Sequence, residues 1–258
     1  MSLASALPWW LIVILATILS VLVVLAIRNW MYRSLSKETL RKAHEVSSAT
    51  YLNIGVLYGI VLGLVTVNGL ERHADLQHAA EEEASALLSI SRVSQLFPTT
   101  SANAIRASVH DYAANVVNIE WDDDEARSSH SERHITLLWS ELASIIKADS
   151  IVDGKEQELI TRLNLLQERR MERLGLMKEK VNSMVWTILV AGAILMILFL
   201  VAFDPMSTVL HTLLIIAVAG TISTILILIF AFDHPSDGAL RISPEAYKSA
   251  IQATALAS

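Results

Sequence analysis

Four long stretches with no acidic or basic side chain in their interiors constrain this chain more than any other feature. They run from Pro8 to Ile27, Ala49 to Leu70, Val181 to Phe203 and Val209 to Phe232, the last broken only by His211 near its start. Each matches the roughly 20 helical residues that cross the roughly 30 Å of a bilayer's hydrocarbon. Each also has aromatic anchors at one end: Trp9 and Trp10, Tyr51, Trp186, and the Phe230/Phe232 pair before Asp233. Of the 258 residues 53% are apolar, more than a soluble domain of this size keeps off its surface. The first stretch reads as a permanent helix rather than a cleaved signal. No Lys or Arg precedes it, it is longer than an h-region, and no small-x-small pattern closes it before Arg28.

Charge is concentrated elsewhere. The net charge is −6, and Glu71 to Lys180 alone holds 20 acids against 13 bases. This acidic segment argues against a nucleic-acid partner. Its apolar positions follow helical periods: Leu76, Ala80, Leu87, Ile90 and Val93 before Pro98, which should stop the helix; then Ile105, Val109, Tyr112, Val116 and Ile119, ending near Trp121. A third helix carries Ile135, Leu138, Leu142 and Ile145. A fourth starts after Gly154 with Leu159, Leu163, Leu166, Leu174, Met177 and Val181, and runs without a visible breaker into the third span.

The expected fold is therefore an all-α membrane protein with four transmembrane helices and an extramembrane antiparallel helical bundle between spans two and three. The expected organisation is spans one and two with a basic connecting loop over 1–70, the bundle over 71–180, spans three and four over 181–232, and a C-terminal turn and short helix over 233–258. The basic residues Arg28, Arg33, Lys37, Arg41 and Lys42 between spans one and two favour a cytoplasmic loop and an external bundle, while the basic residues before span three favour the reverse.

Chemistry-bearing motifs are few. There is no cysteine, which excludes disulfides and thiolate chemistry. Asp122, Asp123, Asp124 and Glu125 precede His130 and His134, but the pattern lacks the glutamate of a zinc-protease motif and the oxygen spacing of an EF-hand, so it reads as a solvated acidic loop. Glu81, Glu82 and Glu83 read as one wet helix face. No nucleotide-binding loop or nucleophile elbow occurs. Neither an enzyme, a metal site nor a cofactor is expected.

Span two is the richer region. Gly55, Gly59 and Gly63 form a doubled small-xxx-small pattern that lets helices approach where lipid supplies no hydrophobic drive. Asn53, Tyr58 and Thr66 add polar groups that prefer protein or water to lipid. Span four carries Gly220, Thr221 and Thr224 at helical spacing. Spans two and four are thus expected to make the close contacts or line a pore, with spans one and three facing lipid.

The tail Phe232-Asp233-His234-Pro235-Ser236-Asp237-Gly238, followed by Arg241-Ile242-Ser243-Pro244-Glu245, resembles the D-[RH]-P-F-x-G…[RK]-[VI]-S-P-E signature of the bacterial membrane family called bestrophin-like. Gly55-Val56-Leu57-Tyr58, Glu82-Glu83-Ala84-Ser85-Ala86-Leu87 and the segment from Tyr112 to Trp121 are similar to that family in the same order, so the resemblance spans about His44 to Tyr247. Ser236 departs from it, standing where Phe is expected. The family's name suggests kinship with chloride-conducting bestrophins. Physically, Pro235 and Gly238 turn the chain after span four, Asp233 and Arg241 can pair across that turn, and Ser243-Pro244-Glu245 starts a short helix to about Ala253 that lies on the membrane surface or on the bundle.

Two functional classes follow. One is a homo-oligomeric channel in the inner membrane, for chloride or another small anion, with span two lining the pore and Arg169, Arg170 and Arg173, with Lys178 and Lys180, raising the local anion concentration. The other is a non-conducting sensor or scaffold that binds a partner through its bundle.

Overall fold

The computed structural model describes residues 9–34, 37–120, 133, 135–141, 143–144, 154–202, 208–235, 240 and 242–255. Among these residues no strand occurs. The helices are α1 (Trp9–Ser34), α2 (Lys37–Ser94), α3 (Thr99–Asn115) continued by a π-helical turn (Val116–Glu120), α4 (Gly154–Lys178), α5 (Ser183–Val201), α6 (Thr208–Phe232) and α7 (Glu245–Ala255). Residues 135–141 are also helical. Four stretches are long and apolar enough to cross a membrane; they lie in α1, α2, the run ending with α5, and α6.

The chain divides into two compact units, one of Met1–Glu71, Lys180–His234 and Gly238–Leu240, the other of Arg72–Glu179, Pro235–Asp237 and Arg241–Ser258. We call them the span unit and the bundle unit. In the span unit, large apolar side chains such as Leu19, Leu57, Leu64, Met184, Val209 and Leu213 remain exposed, as helices surrounded by hydrocarbon require. Its interior has two clusters. One gathers Val24 of α1, Leu200 and Val201 of α5, and Ile215 and Ala219 of α6. The other gathers Tyr58 and Leu62 of α2, Leu189, Ala193 and Met196 of α5, and Ile222 and Ile229 of α6.

Several expectations are corrected here. Span three is not a lipid-facing bystander but the principal neighbour of the Tyr58 face of span two. Span one keeps most of its apolar surface exposed, as expected, and packs along one edge on span four, where the Ser20 and Ser223 hydroxyls lie 2.7 Å apart and Arg28 Nη1 donates to Thr212 Oγ1 at 2.6 Å. The expected basic loop between spans one and two is mostly helix, since α1 runs to Ser34 and α2 starts at Lys37. The run from α4 into span three is not continuous: residues 179–182 leave the helix. There Asn182 acts as N-cap, its Oδ1 accepting from Met184 N at 2.8 Å.

The bundle unit has one core. Leu76, Ala80, Leu87 and Ile90 of α2, Ile105, Val109 and Tyr112 of α3, Val116, Ile135, Leu138, and Leu159, Leu163, Leu166 and Met177 of α4 all contribute. These positions of the helical periods read from the sequence form the buried stripes of this core, with Val93 partly buried against it, whereas Val181 packs in the span unit instead. Pro98, at φ −55° and ψ 147°, precedes α3 as its N-cap residue. α7 joins the same core through Tyr247 and Ala250, which decides between the two places expected for the C-terminal helix. Trp121, the acidic run 122–125, His130, His134, Leu142 and Ile145 lie outside the described residues.

Candidate functional site

Span two presents two different faces. On one, the Tyr58 ring lies against Gly192 of α5 so closely that a Cβ there would overlap it, and the Tyr58 hydroxyl donates to Leu189 O at 2.9 Å. A missing side chain in span three thus seats an aromatic one from span two. Gly55 borders this contact, since a Cβ on it would meet Met196 Cε at 3.1 Å. Gly69 takes the Phe232 ring in the same way, with 2.8 Å left for a Cβ. On the other face, a Cβ at Gly59 or Gly63 would meet nothing within 4 Å. Asn53 shares that exposure with Leu52, Val56, Ile60 and Val67.

The three glycines of the repeat therefore do not act together. A four-residue repeat drifts by about 40° per step around a 3.6-residue helix, so Gly55 reaches the intramolecular contact while Gly59 and Gly63 turn away from it. The three threonine hydroxyls expected to matter in spans two and four satisfy themselves locally: Thr66 donates to Leu62 O at 2.7 Å, Thr221 to Ala217 O at 2.8 Å and Thr224 to Gly220 O at 2.9 Å. Each is thereby tolerated in an apolar surrounding without a partner helix. A Cβ on Gly220 would meet Thr17 Cγ2 of α1 at 3.9 Å, not span two.

The bundle unit contains a polar node the sequence reading placed in water. Three consecutive residues of a helix point about 100° apart, so Glu81, Glu82 and Glu83 cannot share one face. Glu83 points inward and is fully buried. Its Oε2 accepts from Arg173 Nε at 2.6 Å, and its Oε1 accepts from Arg173 Nη2 at 3.2 Å and from the Tyr112 hydroxyl at 2.7 Å. α2, α3 and α4 are thus joined at a charged pair with 0% exposure on both sides. A fork-on-carboxylate geometry of this kind supplies the compensation that two buried charges need.

The remaining cluster arginines have different surroundings. Arg169 Nη1 donates to Glu172 at 2.7 Å, and its Nε lies 3.0 Å from Glu82 Oε2. The Glu172 hydrogen bond, outweighing partial burial and joined by the charges of Glu82, Glu172 and Glu168, pushes the Arg169 pKa still higher. Arg170 is buried. The cluster expected as an open basic surface is therefore inward-facing at two positions, and carboxylates offset Arg169 and Arg173.

Asp233 closes the span unit. One carboxylate oxygen accepts from Val181 N and the other from the Trp186 indole N–H, each at 3.0 Å. The geometry is a cap: an acid after span four holds the entry of span three, where unpaired N–H groups and the helix dipole favour negative charge. His234 Nδ1 lies 3.0 Å from Phe230 O, and its ring stacks 4.3 Å from that of Phe230. In the bundle unit Pro235 O accepts from Ile242 N at 3.2 Å, and Ser243 Oγ accepts from Glu245 N at 3.4 Å at the start of α7, after Pro244. Gly238 and Arg241 lie outside the described residues, and the expected Asp233–Arg241 pair with them. Among the described residues no group of His, Asp and Glu is arranged to hold a metal ion.

Four membrane-length apolar helical stretches with exposed apolar surfaces, and no strand among the described residues, define a membrane protein. The family model of the bestrophin-like domain matches residues 14–247, and the chain belongs to that family. No curated protein matches it. Among solved structures it is similar to a single-substitution variant of a bacterial bestrophin homologue from Klebsiella pneumoniae, with a TM-score of 0.74 at 13% identity, covering 95% of this chain and 96% of that one. The homologue from the same organism solved by zinc phasing gives 0.73 at 13% identity over 93% and 96%. A variant described as a membrane protein gives 0.74 at 13% identity over 94% and 97%. At such identity the likeness concerns the fold.

Proposed function

We propose that this protein is a homo-oligomeric ion channel, a multi-pass protein of the inner membrane with its helical bundle outside the bilayer, and that it conducts chloride or another small anion along span two. The observation that carries this reading is the open face of span two. Gly59 and Gly63 have no neighbour there, and Asn53 is exposed beside them, whereas the opposite face is filled by α5. A helix with one face packed on its own subunit, and with two glycines and Asn53 among the exposed apolar residues Leu52, Val56, Ile60 and Val67 on the rest of its surface, can be approached closely by a neighbouring subunit, as a ring around a shared axis requires. Membership of the bestrophin-like family and the likeness to bacterial bestrophin homologues support the same reading. The bundle arginines contribute less to it than their sequence spacing implies, because carboxylates already offset Arg169 and Arg173.

The second reading, a non-conducting sensor or scaffold, is favoured by that same local neutralisation, which leaves little field to gather anions. One experiment separates the two. In reconstituted vesicles the channel passes chloride in preference to potassium, and Asn53→Cys and Gly59→Cys react with water-borne thiol reagents, cleanly because the chain has no native cysteine. An assembled oligomer with neither chloride flux nor a water-accessible position on span two leaves the scaffold.

A further inference from the structure

α4 turns one face inward, and its buried side chains are Glu156, Leu159, Leu163, Leu166, Arg170, Arg173 and Met177. From Leu159 onward they recur at spacings of four and three, the period of a single helical stripe. Arg170 thus occupies a place that this pattern gives to a leucine, in the middle of the buried face, and is only 4% exposed. Its Nε and Nη2 are buried and meet no hydrogen-bond acceptor among the described residues.

Those two nitrogens form one edge of the planar guanidinium, the edge that receives a bidentate acceptor. One turn further along α4, Arg173 uses the same edge, Nε and Nη2, to hold both oxygens of Glu83. Glu83 is already committed to Arg173 through both oxygens, and its Oε1 also accepts from the Tyr112 hydroxyl. Glu82 and Glu172 are engaged by Arg169. The other buried acid of α4, Glu156, lies 14 residues earlier, about 21 Å along the axis, beside Lys155. Arginine does not deprotonate in a protein, so Arg170 cannot escape burial by becoming neutral. Water can satisfy an N–H but leaves the charge uncompensated in a low-dielectric core.

We propose that the Nε/Nη2 edge of Arg170 binds a small monovalent anion, chloride in the cell, inside the core of the bundle unit. The site is separate from any conduction path, and its occupancy belongs to the folded state of the bundle, so anion binding and folding are linked. It does not rest on the channel reading and survives a protein that fails to conduct.

The test uses the full-length protein in detergent, with sodium chloride exchanged for sodium gluconate at constant ionic strength. The thermal midpoint of the wild type is expected to rise saturably with chloride. Arg169→Met is expected to keep that response, because its charge is paired with Glu82 and Glu172 outside the core edge. Arg170→Met is expected to lose it, and Arg170→Lys, which keeps the charge without the fork, to need several-fold more chloride for half the shift. A wild type indifferent to chloride, or a response that persists undiminished in Arg170→Met, overturns the proposal. Should the Met variant not fold, diffraction from wild-type crystals in bromide decides. An anomalous peak within hydrogen-bond reach of Arg170 Nε and Nη2 is expected, and ordered water alone at that edge refutes the site.

Discussion

The two units of this chain handle buried polarity in opposite ways. Between its helices the span unit relies on a tyrosine seated on a glycine and on neutral hydrogen bonds, with the Tyr58 hydroxyl donating to a backbone carbonyl of α5, and its buried acid, Asp233, sits past the end of span four with N–H donors as partners. In the bundle unit the interior holds a full ion pair, Glu83 with Arg173, braced by Tyr112. The difference follows from what the unfolded alternative is. A span released from its neighbours still lies in hydrocarbon, so it gains by shape and by neutral hydrogen bonds. On the proposed arrangement, with the bundle outside the bilayer, a bundle helix released from its neighbours returns its charges to water, so a buried pair persists only if its geometry repays desolvation.

The largest expected effect therefore lies in the bundle. Glu83→Ala leaves Arg173 buried without its carboxylate and should cost about 3–5 kcal/mol, read as a loss of chemical-denaturant stability of the purified protein. Replacing both partners, Glu83→Leu with Arg173→Met, should recover most of that loss, because removing two buried charges together avoids stranding either one. If the single and double replacements are equally damaging, the node matters for some reason other than charge compensation, and the contrast between the units fails.

Next in size is the glycine contrast inside the span unit. Gly192→Leu drives a side chain into the space of the Tyr58 ring and should cost about 1–3 kcal/mol in the stability of the subunit itself. Gly59→Leu meets no neighbour within the chain and should leave subunit stability unchanged. On the proposed oligomer it should instead lower the assembly, read as native mass in detergent or nanodiscs, while Leu57→Ala does less. A Gly59→Leu protein with unaltered native mass removes span two from the subunit interface.

Much of this was legible beforehand, and what was not has a common cause. Charge-free runs and helical stripes are local properties, so the four apolar stretches and the buried faces of α2, α3 and α4 could be read directly, and Pro98 stopped the helix through its missing N–H. Which side chains meet across those faces is not local. Gly192 carries no repeat to draw attention, yet it is the residue that seats Tyr58. Glu83 and Arg173 stand 90 positions apart, and only the 100° step between successive glutamates hinted that Glu83 must leave the wet face. The break before span three has one local signal, Asn182, a residue type that caps helices, with no helix-breaking residue around it to reinforce that signal.

The smallest expected effects sharpen the comparison most, because their sizes are alike and their origins are not. In the span unit the Ser20 and Ser223 hydroxyls join α1 to α6 at 2.7 Å. In the bundle unit Arg162 meets Glu158 one turn away on α4 at 2.6 Å, with both side chains roughly 40% exposed. An interhelical hydroxyl contact in a bilayer is worth about 0.6 kcal/mol, and an exposed i,i+4 ion pair about 0.3–0.5 kcal/mol. Ser20→Ala and Arg162→Gln should therefore cost nearly the same at low salt. Raising the salt from about 0.1 M to about 1 M shortens the Debye length from about 10 Å to about 3 Å, which erases the exposed pair's attraction but cannot reach a neutral contact between two helices in lipid. The cost of Arg162→Gln should fall towards zero across that range while the cost of Ser20→Ala stays constant, both measured against wild type in the same detergent. Parallel salt responses would mean that the two units share one solvent regime, and that the division drawn between them is one of packing alone.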